Sequence, residues 1–172
     1  YKRQLSILDT SLAGHQPMLS NDKKVCIVFN GEIYNFNSIR EELNNKYALK
    51  WISNSDTEVL LKLYLDCGSD IKGFLKKLNG IFSLAIWDSS KRELLLARDA
   101  FGIKPLYYAL TDNGFAFSSE IKSLIKLLPE ITCSDLTNFL EIDNSAINRY
   151  LTYLWCPGEQ TPLKNLKKMN PG

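Results

Sequence analysis

The sequence predicts an α+β fold in which antiparallel sheets stack on one another and helices flank them. Three observations point there. Strand-like and helix-like segments come in blocks instead of alternating one for one, as a parallel doubly wound chain would. Several apolar runs are joined by short polar turns, which is the pattern of hairpins. The stretch "VCIVF" is apolar at nearly every position, as a strand buried on both faces must be.

Taken in order, "QLSIL" suggests a first strand around Leu5 to Leu8. "LDTSLAGHQPML" then reads as a loop punctuated by Gly14 and Pro17. A second strand covers Val25 to Phe29. Asn35 is placed to cap a helix over residues 36–47, with Ile39 and Leu43 on one face. "SNSDTEVLLKLYLDCG" carries the clearest helix signal: Ser55 and Glu58 stand at capping-box spacing, Val59, Leu60, Leu63 and Tyr64 make an apolar face, and Gly68 stops it. A helix near Ile71 to Leu78 precedes the hairpin "IFSLAIWD"/"ELLLARD", which turns at Ser89 to Lys91. A second hairpin, "PLYYAL"/"FAFSS", turns at "TDNG". "SEIKSLIKLL", "SDLTNFL" and "NSAINRYLTYLW" read as helical pieces. The tail "CPGEQTPLKNLKKMNPG" has the composition of a linker.

Composition excludes several functions. A net charge of +2 is too small to argue for nucleic acid or an anionic membrane as partner. No apolar run is long enough for a transmembrane span, and the N-terminus lacks the apolar centre of a signal peptide. Cys26, Cys67, Cys133 and Cys156 are scattered without a CxxC pair, so they read as reduced thiols of a cytoplasmic protein, not as a metal or redox site. His15 is the single histidine, which argues against a histidine triad or a multi-histidine metal centre. No metal site is expected.

One stretch asks for a chemical explanation. "FNGEIYN" places Asn30, Gly31 and Glu32 where the buried strand ends. A strand-to-helix turn would account for them. So would a site: the Asn30 amide and the Gly31 N–H are two donors suited to a developing oxyanion, and Glu32 is an acceptor suited to an ammonium group. Asp56 opens the strongest helix, where stabilisation by the helix dipole is explanation enough.

Seven motifs then fall in one order: "RQLSILD", "AGHQPM", "NGEIYN", "SDTEVLL", "LNGIFSLAIWD", "RDAFGIKPLYY" and "SSEIKSL". Together they resemble the class II glutamine amidotransferase domain of asparagine synthetases, over about residues 3–172. The resemblance implies an N-terminal-nucleophile hydrolase fold of four layers, α/β/β/α. It implies that Asn30 and Gly31 form an oxyanion hole, and that Glu32 and Asp56 hold the α-amino group of L-glutamine. The segment Gln4, Leu5, Ser6, Ile7 and Leu8 would line the side of the α-carboxylate. An N-terminal cysteine would attack the glutamine amide, using its own amine as base. Ammonia would then pass to a C-terminal synthetase domain that activates aspartate with Mg-ATP.

The chain departs from that pattern in two places. No cysteine occupies the nucleophile's position, and Tyr1, a phenol, is no substitute. The chain therefore reads as cut at both ends, inactive alone, and prone to associate through an uncovered sheet edge. Gln4 stands where the family usually has an arginine, which weakens the expected grip on the glutamine carboxylate. The expected organisation is an amidotransferase domain over residues 1–150, with 151–172 leading into the synthetase domain. The resemblance leaves room for a homodimer of the parent. Two alternatives stay open: a non-catalytic glutamine-binding or scaffold module, and the glutaminase domain of another class II amidotransferase. The tryptophans read as core or interface anchors, and Arg98, Asp99 and Lys104 as a hairpin approach with a local ion pair.

Overall fold

The structure, a computed structural model, describes residues 14–132 and 140–172. The expected first strand, Cys133 and nearly all of "SDLTNFL" lie outside the described residues. The chain forms two units, Tyr1–Asp99 and Ala100–Gly172. Each carries one antiparallel sheet with helices, so the fold is α+β as the segment order predicts.

The first unit holds β1 (Met18–Leu19), β2 (Val25–Ile33), β3 (Gly80–Asp88) and β4 (Glu93–Arg98), hydrogen-bonded in that order. Its helices are α1 (Phe36–Tyr47), α2 (Asp56–Cys67) and α3 (Ile71–Lys76). β2 and β3 pair continuously from Val25↔Asp88 to Ile33↔Gly80. Residues directly opposite in an antiparallel pair share a face. One face therefore carries Val25, Ile27 and Ile33 beside Phe82, Leu84 and Ile86. These pack with Ile39 and Leu43 of α1, Leu60 and Leu63 of α2 and Phe74 of α3 into one core. The alternate residues Asn30 and Glu32 occupy the other face.

β2 is longer than its apolar run. The sequence ends the strand at Phe29 and makes "NGE" a turn; the structure carries the ladder through "NGE" to Ile33. Glycine on both strands permits it. A Cβ at Gly31, whose φ is +153°, would lie 2.1 Å from the Ile81 carbonyl oxygen. A Cβ at Gly80 would lie 2.2 Å from the Glu32 carbonyl oxygen. The two backbones approach too closely here for any other residue.

Asn35 does precede α1, but its side chain does not cap it. Its Nδ2 donates to the Lys77 carbonyl at 2.8 Å and its Oδ1 accepts from Asn79 N–H at 3.0 Å, so the amide clamps the loop after α3 instead. The α2 start follows expectation in part. Ser55 Oγ accepts from Glu58 N–H at 3.3 Å. The Glu58 carboxylate does not close the box on Ser55. It accepts from Ile52 N–H, Ser53 N–H and the Ser53 hydroxyl, folding the incoming loop onto the helix.

The second unit is built on β5 (Tyr107–Thr111) and β6 (Gly114–Ser118), with β7 (Lys167–Lys168) on the other edge of β5. α4 (Ile121–Ile131) buries Leu124 and Leu128 against Ala109, Ala116 and Leu166. α5 (Asn144–Tyr153) is capped by Asp143, whose Oδ1 accepts from Ser145 and Ala146 N–H. The tail, linker-like in composition, is part of this unit. Leu166 is fully buried, and the Thr161 hydroxyl donates to its carbonyl at 2.8 Å. Among the described residues no helix is long and apolar enough to cross a membrane.

Candidate active site on the open edge of β2

The site begins with a strand that stops early. β1 pairs only with Ile27 and Cys26 of β2. Pro17 precedes it and has no N–H to extend the ladder. Along an antiparallel strand, successive residues direct their N–H and C=O groups to opposite edges. Val25 N–H donates to Ser20 Oγ on the β1 side, and Tyr34 N–H to the Asn79 carbonyl on the β3 side. Phe29, Gly31 and Ile33 therefore aim their N–H groups past the end of β1, at an edge with no strand among the described residues.

Two of those three donors are taken by side chains. Phe29 N–H donates to Gln16 Oε1 at 2.6 Å, and Ile33 N–H donates to Asp56 Oδ2 at 3.2 Å. Gly31 N–H, between them, has no partner among the described residues. Neither does the half-buried Asn30 carboxamide next to it. Two adjacent, uncommitted donors on a rigid strand are what an oxyanion needs, with no reorganisation when charge develops. Asp99 steadies β3 opposite them: its N–H donates to the Phe82 carbonyl at 2.8 Å and its Oδ2 accepts from Phe82 N–H, and Phe82 pairs with Gly31.

The second half of the site is acidic. Asp56 is the first residue of α2 and is buried at 6% exposure. Burial pushes its carboxyl above the usual carboxylate range. Donated N–H groups of Ile33, Thr57 and Asp56 itself oppose this, and the nearby negative charge of Glu32 adds to the upward push. The ion pairs among the described residues include neither Glu32 nor Asp56. Two carboxylates close enough to repel, one of them buried and neither paired, are suited to a ligand cation. The structure thus brings Asn30, Gly31, Glu32 and Asp56 together. Gln4, Leu5, Ser6, Ile7 and Leu8 lie outside the described residues.

Gln16 is the residue that sequence reasoning missed. "AGHQPM" counted as a motif, but nothing in its pattern says that the glutamine side chain accepts from the strand N–H of Phe29, 13 residues later. Cys26, Cys67 and Cys156 are free thiols, each half-buried. Burial pushes the Cys67 thiol up, which makes it a poor nucleophile. Among the described residues no group of three or more His, Cys, Asp or Glu is placed to hold a metal ion. Of the tryptophans, only Trp51 packs against the core, between Arg40 and Lys62; Trp87 and Trp155 are exposed.

Comparison with known proteins gives this geometry a context. The chain is 39% identical over 170 residues to asparagine synthetase (glutamine-hydrolyzing) 1 of Bacillus subtilis, a match that covers 99% of this chain and 25% of that protein. Asparagine synthetase (glutamine-hydrolyzing) 2 of the same organism is 44% identical over 122 residues, covering 71% of this chain and 15% of that protein. The chain spans about a quarter of the length of the first of these relatives. Among solved structures, the glutamine phosphoribosylpyrophosphate amidotransferase of B. subtilis superposes with a TM-score of 0.55 at 26% identity, over 63% of this chain and 25% of that one. That neighbour is an N-terminal-nucleophile hydrolase of the class II amidotransferases, in line with the expected fold class. A model of the glutamine amidotransferase domain matches residues 2–172, and the chain belongs to that family.

Proposed function

We propose that this chain is the glutamine-hydrolysing, ammonia-supplying domain of an ATP-dependent asparagine synthetase. The observation that carries the reading is the open edge of β2, where, among the described residues, one free backbone donor and one free carboxamide adjoin two unpaired carboxylates. Glutamine has the complementary groups: an amide whose oxygen becomes an oxyanion on attack, and an α-ammonium. In this reading Asn30 and Gly31 hold the oxyanion and Glu32 and Asp56 hold the ammonium. Gln4 to Leu8 line the carboxylate side.

Hydrolysis proceeds by thiolate attack on the amide carbon. The C–N bond breaks, ammonia leaves, and water cleaves the thioester to glutamate. The attacking cysteine is none of Cys26, Cys67, Cys133 or Cys156, so these 172 residues alone release no glutamate. Residues 1–150 act as the amidotransferase domain, and 151–172 lead toward a synthetase domain that binds Mg-ATP and aspartate in the cytoplasm. The synthetase reading is favoured over other amidotransferases by the identity to asparagine synthetases through nearly the whole chain.

The test is glutamate release by the full-length protein, followed by asparagine formation when aspartate and Mg-ATP are added. Glutamate without asparagine would leave a glutaminase serving another acceptor. Neither product from a folded protein would refute the reading.

A further inference from the structure

We infer that Gln16 is a positioning residue of the oxyanion hole: its amide bridges the two halves of the site and leaves Gly31 N–H as the open donor. The inference rests on the glutamine-hydrolysis reading above and assigns a role to a residue outside it. Gln16 Oε1 accepts from Phe29 N–H at 2.6 Å. Its Nε2 donates to Thr57 Oγ1 at 3.3 Å. Phe29 directly precedes Asn30, and the buried Thr57 directly follows Asp56. One planar amide therefore connects the strand that carries the oxyanion donors to the helix start that carries the ammonium acceptor.

The geometry requires a side chain here. On the N-terminal side of Met18 the chain no longer pairs with β2, so among the described residues β1 offers Phe29 no main-chain carbonyl. Without Gln16, two adjacent outward N–H groups, Phe29 and Gly31, would compete for the same acceptor or for water. With it, Phe29 is satisfied, and the strand is anchored one residue before the site. Asp56 does the same at Ile33, one residue past Glu32. Gly31 lies midway between two anchored points, and its own φ of +153° is held by contact with β3. Of the two bonds, the shorter one to Phe29 sets the donor's position, and the longer one to Thr57 sets the gap between β2 and α2.

A donor that acts only as charge develops affects kcat more than KM. In the full-length protein, Gln16→Ala is expected to lower kcat for glutamate release by about 10- to 100-fold, the cost of slightly misplacing a reacting group. KM should change less than about threefold. Thr57→Val, which removes only the longer bond, should cost less, and Thr57→Ser should restore the wild-type rate. Amide hydrogen exchange reads the same arrangement without turnover. Phe29 exchange should accelerate at least about tenfold in Gln16→Ala relative to Leu84 and Ile86 of the same core, which separates loss of the cap from loss of the fold.

An active wild type with unchanged kcat in Gln16→Ala overturns the assignment. So does Phe29 exchange that does not respond. An inactive, folded wild type in which Phe29 does respond overturns the glutamine-hydrolysis reading, and the catalytic role of Gln16 with it.

Discussion

Replacing Asp56 with asparagine should weaken ligand binding without weakening the fold. The carboxylate is buried at 6% exposure, accepts from Ile33 N–H at 3.2 Å, and sits beside the negative charge of Glu32. Burial is the largest influence on its titration and raises it. A carboxyl raised on folding binds its proton more tightly in the native state than in the unfolded chain. Its contribution to stability is therefore most favourable in acid. It declines as pH rises from the ordinary carboxylate range, 3.8, through the raised native value, and stays low at neutral pH. Asparagine keeps an oxygen to accept from Ile33 and carries no charge. The unliganded Asp56→Asn protein should thus melt no lower than wild type at pH 7 and lower relative to it in acid.

Binding should move the other way. Truncating one partner of a buried charge pair costs about 2–5 kcal/mol. At about 1.4 kcal/mol per tenfold, even the lower bound weakens glutamine binding about 30-fold. Calorimetric titration with glutamine, beside thermal melts from pH 4 to 8, measures both effects. Unchanged affinity would refute the ammonium role of Asp56, and a lower melting temperature at pH 7 would refute the argument from burial.

Three further perturbations test the fold that positions the site. Gly31→Ala should abolish glutamine-dependent activity and cost at least about 2 kcal/mol of stability, because its Cβ would meet the Ile81 carbonyl at 2.1 Å; a chemical melt and the activity assay report both. Glu58→Gln should cost about 1.5–3 kcal/mol at neutral pH. Burial pushes the Glu58 carboxyl up, but Lys62 and the N–H groups of Ile52 and Ser53 outweigh it and hold the net value below the ordinary one. The wild-type advantage should therefore be present above 4.5 and vanish in acid denaturation as pH falls through the native value. Leu166→Ala should cost about 2–5 kcal/mol, since the side chain is fully buried; a change of under about 0.5 kcal/mol would mean that the tail is the linker its composition suggests.

What was legible in the sequence is what local rules determine. The apolar run of Val25 to Phe29, the Ser55–Glu58 spacing and the turn at "TDNG" each encode their element within a few residues, and the structure has those elements. Asn30, Gly31 and Glu32 stood out because an amide, a glycine and a carboxylate in a row after an apolar run are unusual, whereas Asp56 read locally as an ordinary helix start and only the family resemblance joined it to them. The misses depend on partners far along the chain. β2 runs past Phe29 because Gly80, on another strand, lets it approach. Asn35 gives up its cap for Lys77 and Asn79, and Leu166 is buried by a hairpin more than forty residues earlier in sequence. Gln16 was hidden because its partners, Phe29 and Thr57, lie 13 and 41 residues further along the chain, beyond the reach of any local pattern. Charged-group spacing was similarly misleading at Glu58, whose backbone N–H partners, Ile52 and Ser53, lie before Ser55 instead of on it.

The central claim is that this edge of β2 recognises an amide and an ammonium together. The most direct measurement compares calorimetric binding of glutamine and glutaramic acid, which is glutamine without its α-amino group, to the full-length protein and to its Asp56→Asn variant. The account predicts that wild type binds glutamine at least about 30-fold more tightly than glutaramic acid, and that the variant loses most of that preference. Equal binding of the two ligands by wild type, or a preference that survives in Asp56→Asn, would contradict it.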